Sequence, residues 1–565
     1  MSRRLELTFV VVLLILGVLL KVWFVQDVTG GDFGKVRFSD EATYYLPAAR
    51  EISEQGFSYF LTERSLWNGP LNPLWIYALG SEPSLVKAAN ILLIALAGLL
   101  VWVMLRERSK TSALWALFAW NIYPPLIDFG PTLLTEPPYL FLLTLGAFLF
   151  YRERTFSCGL IWGAATLVRP TTQLLPVLLI LAAFFPYFKA SRAKLLKVAL
   201  GILIVITPYI VKNYFVFGRP TIANGFGAVF QLGTNLRTYG DEPIYYGIDF
   251  DTQRYTKEYT HLDSEGDKRL TQAAIEYVTK HPIASLWLAV IKPFKLILGH
   301  TRHYFFPYNG LEAFLEYERD LGRIWMTFGA LVLTPFVTLI GLIGIFRRIK
   351  AQPLAALLVL YFLALHTVVF PIPRMALPLF SFLLFGAATT SRIERIWGAA
   401  AATVFILLVS FGMRGKLSHE YCSSYPSYFE ERFQIETSNP VSSQDVEEVN
   451  GVFKVVGKDP FVVFKADAPT DRNQLVLIEL EVLNPPKRGQ ELVWGQLFWS
   501  EHDKFSEGQS TPFLFRTATG LSRYRVSVTF NPMWHKVSNI RNIRLDLGER
   551  VRGMVLKMKH IEIVG

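Results

Sequence analysis

The sequence predicts a polytopic α-helical membrane protein that ends in an all-β domain, and three observations carry that prediction. The mean hydropathy is +0.31, with 52% hydrophobic and only 18% charged residues over 565 positions, a balance unusual for a soluble chain. Apolar runs recur through the chain as far as Met413, most of them near the ~20 residues a helix needs to cross a bilayer. Beyond Met413 the apolar runs become short and alternating, as in LVLIELEVL, YRVSVTF and MKHIEIVG, which is strand periodicity.

The net charge of +11 does not point to nucleic acid, because Lys and Arg sit in short clusters between apolar runs instead of along one face or tail. Clusters of that kind are topology signals. The two cysteines, Cys158 and Cys422, supply neither a disulfide framework nor a thiolate metal site. The N-terminal MSRRLELTFVVVLLILGVLLKVWFV has a basic start and a long apolar run without a small-residue cleavage site directly after it. It reads as a retained first helix and signal anchor.

Hydropathy places about eleven spans, near 7–25, 85–105, 112–129, 138–151, 159–168, 172–188, 195–215, 325–346, 353–370, 375–389 and 396–413. The basic clusters are Arg3/Arg4, Arg106/Arg108/Lys110, Arg152/Arg154, Lys189/Arg192/Lys194, Arg347/Arg348/Lys350 and Arg392/Arg395. That span count puts all of them on the cytoplasmic side of the inner membrane, with the N-terminus. The run 283–298, IASLWLAVIKPFKLIL, is not counted, because Lys292, Pro293 and Lys295 and its short length suit a helix lying in the interface. The transmembrane domain is then 1–413, with outer loops at 26–82 and 218–324. The β domain, 414–565, faces the periplasm or the exterior.

Both outer loops are too long for connectors and are candidate site-builders. In the first, SDEATYYLPAAREISEQG carries Asp40 and Glu41, either general bases, cation holders or solvated loop acids. YPPLIDFGPTLLTEPPYLF carries Asp128 and Glu136. Glu136 opens an apolar helix with Thr135 as a candidate cap, so a dipole-satisfying role stands beside a functional one. Arg169 in ATLVRPTTQ and Arg374 in FPIPRMALPLF lie at membrane depth, where a charge points to a phosphate partner or snorkels to the interface. TPYIVKNYFVFGRPTIANGFG places Lys212, Asn213 and Arg219 at the outer end of the seventh span. Its glycines have no P-loop or dinucleotide-binding spacing.

The order SDEATYYLPAARE, NGPLNPLW, LLTEPPYLF, LVRP, TPYIVKNYFVFGRPTIANGFG and PRMALPL resembles the GT-C superfamily of membrane glycosyltransferases. The nearest group is that of protein O-mannosyltransferases, lipid A aminoarabinose transferases and lipopolysaccharide-core sugar transferases. The similarity covers roughly residues 1 to 400. It implies a GT-C-type fold and an inverting transfer of sugar from a polyprenyl-phosphate donor to a glycan, lipid or protein acceptor at the outer face. Asp40 would be the catalytic base and Glu41 its acidic neighbour, with Tyr44, Glu136, Arg169, Asn213, Tyr214 and Gly218 in the family's remaining positions. Lys212 stands where an arginine is common, Arg374 precedes Met375 instead of tyrosine, and Asn68-Gly69-Pro70 replaces the Lys-Pro-Pro of the aminoarabinose branch. The last change leaves open which cation holds the donor phosphate.

No organic cofactor is expected, and the adjacent acids leave a divalent metal open. The cations Lys212, Arg219, Arg169 and Arg374 suit a leaving phosphate, which needs positive charge and no general acid. A transporter or flippase of a lipid-linked or anionic substrate would also use intramembrane charge, but the chain lacks the internal repeats that such folds carry. The region 414–565 resembles jelly-roll sandwiches of the carbohydrate-binding type, with Trp494, Trp499, Tyr524 and Trp534 either stacking on sugar or packing the core.

Overall fold

Proline punctuates the apolar runs, and several helices start at it. Pro83, Pro124 and Pro353 each open a helix, where the missing N–H removes no intrahelical bond. The computed structural model describes residues 2–29, 31–38, 40–234, 253–298, 321–412, 432–449, 451–470, 474–486, 492–502, 504–528, 533–534, 537–548 and 551–564. In chain order the helices are α1 (Arg3–Val28), a π-helical turn (Glu41–Tyr45), α2 (Leu46–Gln55), α3 (Leu71–Ala78), α4 (Pro83–Arg106), α5 (Lys110–Ile122), α6 (Pro124–Phe129), α7 (Glu136–Tyr151), α8 (Thr155–Val168), α9 (Leu175–Phe184) and α10 (Arg192–Phe217). There follow α11 (Phe226–Thr234), α12 (Gln253–Thr256), α13 (Ser264–Lys280), α14 (Pro282–Leu298), α15 (Leu321–Arg347), α16 (Pro353–Val368), α17 (Phe380–Ala388) and α18 (Arg392–Gly412).

Among the described residues four helical stretches are long and apolar enough to cross a membrane: Arg3–Val28, Pro83–Arg106, Pro186–Phe217 and Ile324–Arg347. The bent pair of α13 and α14 makes a fifth if counted as one. The expectation of eleven spans is corrected accordingly. Apolar runs that hydropathy reads as full spans are short helices ended by proline, polar residues or tight turns. The 16 residues of α7 cover about 24 Å at ~1.5 Å per residue, short of a ~30 Å core. These helices pack closely where small residues admit a neighbour. The Trp162 indole lies against Gly146, where a Cβ would sit 2.3 Å from its ring, and donates to the Leu143 carbonyl at 3.0 Å.

Ion pairs tie the basic clusters to one end of the helices. Arg106 and Lys110 meet Glu6 of α1, Arg152 meets Glu107 at 2.8 Å, and Lys194 meets Glu153 at 2.6 Å. Arg347 and Arg348 share Glu394, the Arg108 guanidinium lies over Phe385, and the Lys350 ammonium over Tyr187. Asp40, Glu136, Arg169, Lys212 and Arg374 all belong to the opposite helix ends or the connections beyond them.

Helix α14 turns 110° away from the polar α13. It exposes Ile283, Leu286, Trp287, Val290 and Phe294 on one face, the spacing of an amphipathic helix. Lys292 points the other way. It is buried, and its ammonium donates to the Val368 carbonyl at 2.7 Å, so it ties α14 to α16.

The C-terminal strands are β1 (Arg432–Ile435), β2 (Ser442–Gln444), β3 (Val446–Val449), β4 (Val452–Val455), β5 (Phe461–Pro469), β6 (Leu475–Asn484), β7 (Leu492–Ser500), β8 (Ser510–Arg516), β9 (Gly520–Ser527), β10 (Asn539–Asp546) and β11 (Val555–Val564). They form antiparallel sheets ordered β3-β4-β11-β6-β9, with β1 also on β11, and β2-β5-β10-β7-β8. Inward residues of both sheets, such as Phe453 and Ile478 from one and Phe464 and Leu497 from the other, share a single core. Trp499, Tyr524 and Trp534 belong to that core and are buried. They pack the domain and offer no face to a sugar, which settles that alternative for these three. Trp494 lies in β7, and its side chain falls outside the described residues.

Candidate functional site

Four charged side chains from four separate segments converge at the helix ends opposite the basic clusters. Asp40 precedes the π-helical turn, a wide helical geometry frequent at functional sites. Glu136 is the first residue of α7, Arg169 caps the end of α8 in extended conformation, and Arg374 lies in the 3-10 turn Pro373–Leu379 between α16 and α17. The Arg374 guanidinium donates to the Asp40 carboxylate and sits 3.6 Å from Glu136 Oε1. Arg169 donates to the same Glu136 oxygen at 2.7 Å. The chain Asp40, Arg374, Glu136, Arg169 therefore alternates in sign and balances its own charge. The Asp40 side chain is 26% exposed and that of Glu136 only 4%, so Asp40 is the acid that an incoming molecule can reach.

Neighbouring contacts hold these groups in place. Asn68-Gly69-Pro70 presses Gly69 onto the end of α8, where a Cβ would stand 2.5 Å from the Leu167 carbonyl oxygen. Only glycine allows that approach beside Arg169. The Phe370 amide donates to the Val229 carbonyl at 3.0 Å, fastening α11 to the strand-like stretch before Arg374. Thr135 occupies the cap position of α7 without capping it; its hydroxyl lies 3.4 Å from both Glu136 Oε2 and Arg169 Nη1.

The other expected residues have different employment. Glu41 is fully buried, and its carboxylate accepts from the amides of Arg37 at 2.9 Å, Phe38 at 3.0 Å and Leu133 at 2.6 Å. It clamps the connection between α1 and α2 to the loop before α7 and is not available to substrate, which corrects its expected role as a general base beside Asp40. Asp128 is buried against Arg37, 2.6 Å away, whose guanidinium also covers Phe24 and Phe38. Asn213 donates to the Thr221 carbonyl at 2.6 Å, and Arg219 pairs with Asp267 at 2.7 Å. Both shape the segment that follows α10. Lys212 donates to the Phe60 carbonyl at 2.8 Å and lies over the Tyr209 ring, with no carboxylate partner among the described residues.

Sequence reading missed Arg37, Tyr45 and His261. Tyr45 differs from Tyr44 only by one step along the π-helical turn, yet its surroundings are the Asp40, Glu136, Arg374 and Arg169 charges. Burial, and then the two carboxylates, push its phenol well up, so it remains a hydrogen-bond donor. The doubled tyrosine in SDEATYYLP was the visible signal. His261 carried none, being a lone histidine in a polar loop.

No protein-family model matches the chain, and no curated protein matches it. The site's chemistry follows from its own geometry. A reachable carboxylate can take a proton, and two guanidiniums and an ammonium at the same helix ends can receive an anion. Among the described residues no three His, Cys, Asp or Glu side chains stand together as metal ligands.

Proposed function

We propose that the protein is an integral membrane glycosyltransferase that transfers a sugar from a polyprenyl-phosphate carrier to a glycan, lipid or protein acceptor. The observation that carries this reading is the convergence of Asp40, Arg374, Glu136 and Arg169 at helix ends remote from every basic cluster. Asp40 accepts the proton of the acceptor hydroxyl or amine as that atom attacks the anomeric carbon. The bond to the carrier phosphate breaks on the opposite face of the sugar, so configuration inverts. Negative charge grows on the departing phosphate, and Arg374, Arg169 and Lys212 are the groups that stabilise it. Glu136 holds the two guanidiniums against one carboxylate oxygen until the donor arrives.

The direct test incubates purified protein with a panel of polyprenyl-phosphate sugars and measures released polyprenyl phosphate. Release from no member rejects the reading. Lys212→Ala should raise the donor KM roughly tenfold or more, because an ion-assisted hydrogen bond of about 1.5–3 kcal/mol is lost. The acceptor KM should stay put, and an unchanged donor KM removes Lys212 from the phosphate site.

In the proposed topology the shorter apolar helices (α5 with α6, α7, α8, α9, α16, α17 and α18) also pass from one end to the other, so the basic clusters are cytoplasmic and the site and C-terminal region face outward. It is supported by the gathering of those clusters at one end of the helices. A jelly-roll assignment of the C-terminal region is supported by the way β4 to β7 and β9 to β11 alternate between the two sheets. Cysteines introduced one at a time at Ser264 and Ser506, in a chain carrying Cys422→Ser and with Cys158 buried, should react with a membrane-impermeant maleimide added outside intact cells. Protection of either position rejects the outward orientation.

A further inference from the structure

Residues 44 and 45 sit on one helical turn but reach into two different environments. Tyr45 is surrounded by the Arg374, Glu136 and Arg169 charges. Tyr44 instead meets two rings brought from distant segments. Its ring packs edge to face on Trp67, centroids 6.1 Å apart at 79°, and on His261, 6.3 Å apart at 78°. Its hydroxyl lies 3.5 Å from His261 Nε2. All three rings are only half-buried. Asp40 pairs with Arg374 and immediately precedes the π-helical turn that carries Tyr44, which links the cationic group to the aromatic one.

The aromatic flank is acidic where the other is basic. Asp263 accepts from the Trp67 indole N–H at 3.3 Å and from the Thr260 amide at 2.8 Å. Asp263 joins Asp40 in acting on His261, while Asp267 is neutralised by Arg219. Arg64 covers one face of Trp67, 4.5 Å from its centroid, and is neutralised by Glu51 at 2.6 Å. A phosphate is repelled by such a flank and drawn to the guanidiniums across Asp40. An uncharged sugar ring suits it, since its C–H face packs on aromatic carbon and its hydroxyls bond to phenol, imidazole and carboxylate.

We propose that Tyr44, Trp67 and His261 form the acceptor subsite, which holds an uncharged pyranose ring with one hydroxyl directed at Asp40, while Asp263 excludes anionic acceptors. The assignment rests on the transferase reading and adds to it the acceptor's chemical class. Burial holds the His261 imidazole below its usual range, so near neutral pH it offers one donor and one acceptor nitrogen and adds no charge.

The test uses the full-length protein in detergent, a polyprenyl-phosphate sugar that it accepts, and neutral oligosaccharides compared with their phosphorylated forms. Wild-type protein should transfer to neutral rings in preference. Trp67→Ala and His261→Ala should each raise the KM for the neutral acceptor roughly tenfold, the scale of a lost aromatic anchor. Donor KM and the slow release of carrier phosphate to water should be unchanged, and Trp67→Phe should restore most of the loss. Asp263→Asn, which removes charge and keeps shape, should narrow the preference for neutral over phosphorylated acceptors. If Trp67→Ala does not fold, the Asp263→Asn comparison decides alone. The subsite is overturned by an acceptor KM within about twofold of wild type, by a shift in donor KM instead, by transfer confined to anionic or lipid acceptors, or by an unchanged preference in Asp263→Asn. Absence of any carrier release by the wild-type protein rejects the transferase reading itself, and the two failures are thereby told apart.

Discussion

Asp40→Asn should lower sugar transfer by about a hundredfold or more, the scale on which a positioned general base acts, while expression and donor binding stay close to wild type. Asparagine keeps the shape of the side chain and can still accept from Arg374, so the contact between the α1–α2 connection and the Pro373–Leu379 turn survives. What it cannot do is take the acceptor's proton. The loss should therefore appear in kcat, with the donor KM little moved, as expected for an interaction used in the transition state. Burial singles out Asp40 for this role: Glu136 is enclosed between two guanidiniums and Glu41 is consumed by three amides. Near-wild-type turnover by Asp40→Asn on an accepted donor and acceptor would transfer the role to Glu136, since Asp128 is locked to Arg37.

Arg37→Ala should destabilise the fold by about 3–5 kcal/mol, the usual cost of leaving one partner of a buried ion pair uncompensated. Arg37 and Asp128 are 2.6 Å apart with side chains 9% and 6% exposed. The guanidinium donates as well to the Asp128 carbonyl at 3.2 Å, so its removal takes a charged partner from the buried carboxylate and a donor from its main-chain carbonyl. Thermal unfolding in detergent reads the effect. Arg37→Met combined with Asp128→Leu removes both charges together and should cost clearly less than the sum of the single changes. A single variant as stable as wild type would mean that water reaches the pair.

Composition and local pattern made much of this protein legible. The apolar runs, the basic clusters between them and the change to alternating strands after Met413 are each properties of adjacent residues, which is where periodicity acts. Glu136, Arg169 and Arg374 stand out for the same reason, as charges beside apolar runs, whereas Asp40 is one acid of a polar loop and is singled out only by the order of motifs around it. Hydropathy reads more full-length spans than the described residues have long apolar helices, because it averages across prolines and turns that end a helix. It has no means of telling 16 apolar residues in one helix from the same residues divided between two.

What the sequence determined by itself is the class of molecule and the short list of acids and cations. Only the tertiary structure decided what each of them does. Glu41 follows Asp40 directly, yet one carboxylate is spent on three main-chain amides and the other is exposed beside Arg374. Asp40 and Arg374 are 334 positions apart, as are Tyr44 and His261 by 217. No local pattern records such pairings. They arise because packed helices bring their ends together, and a charge in a poorly hydrated place must then find whichever partner the fold has delivered.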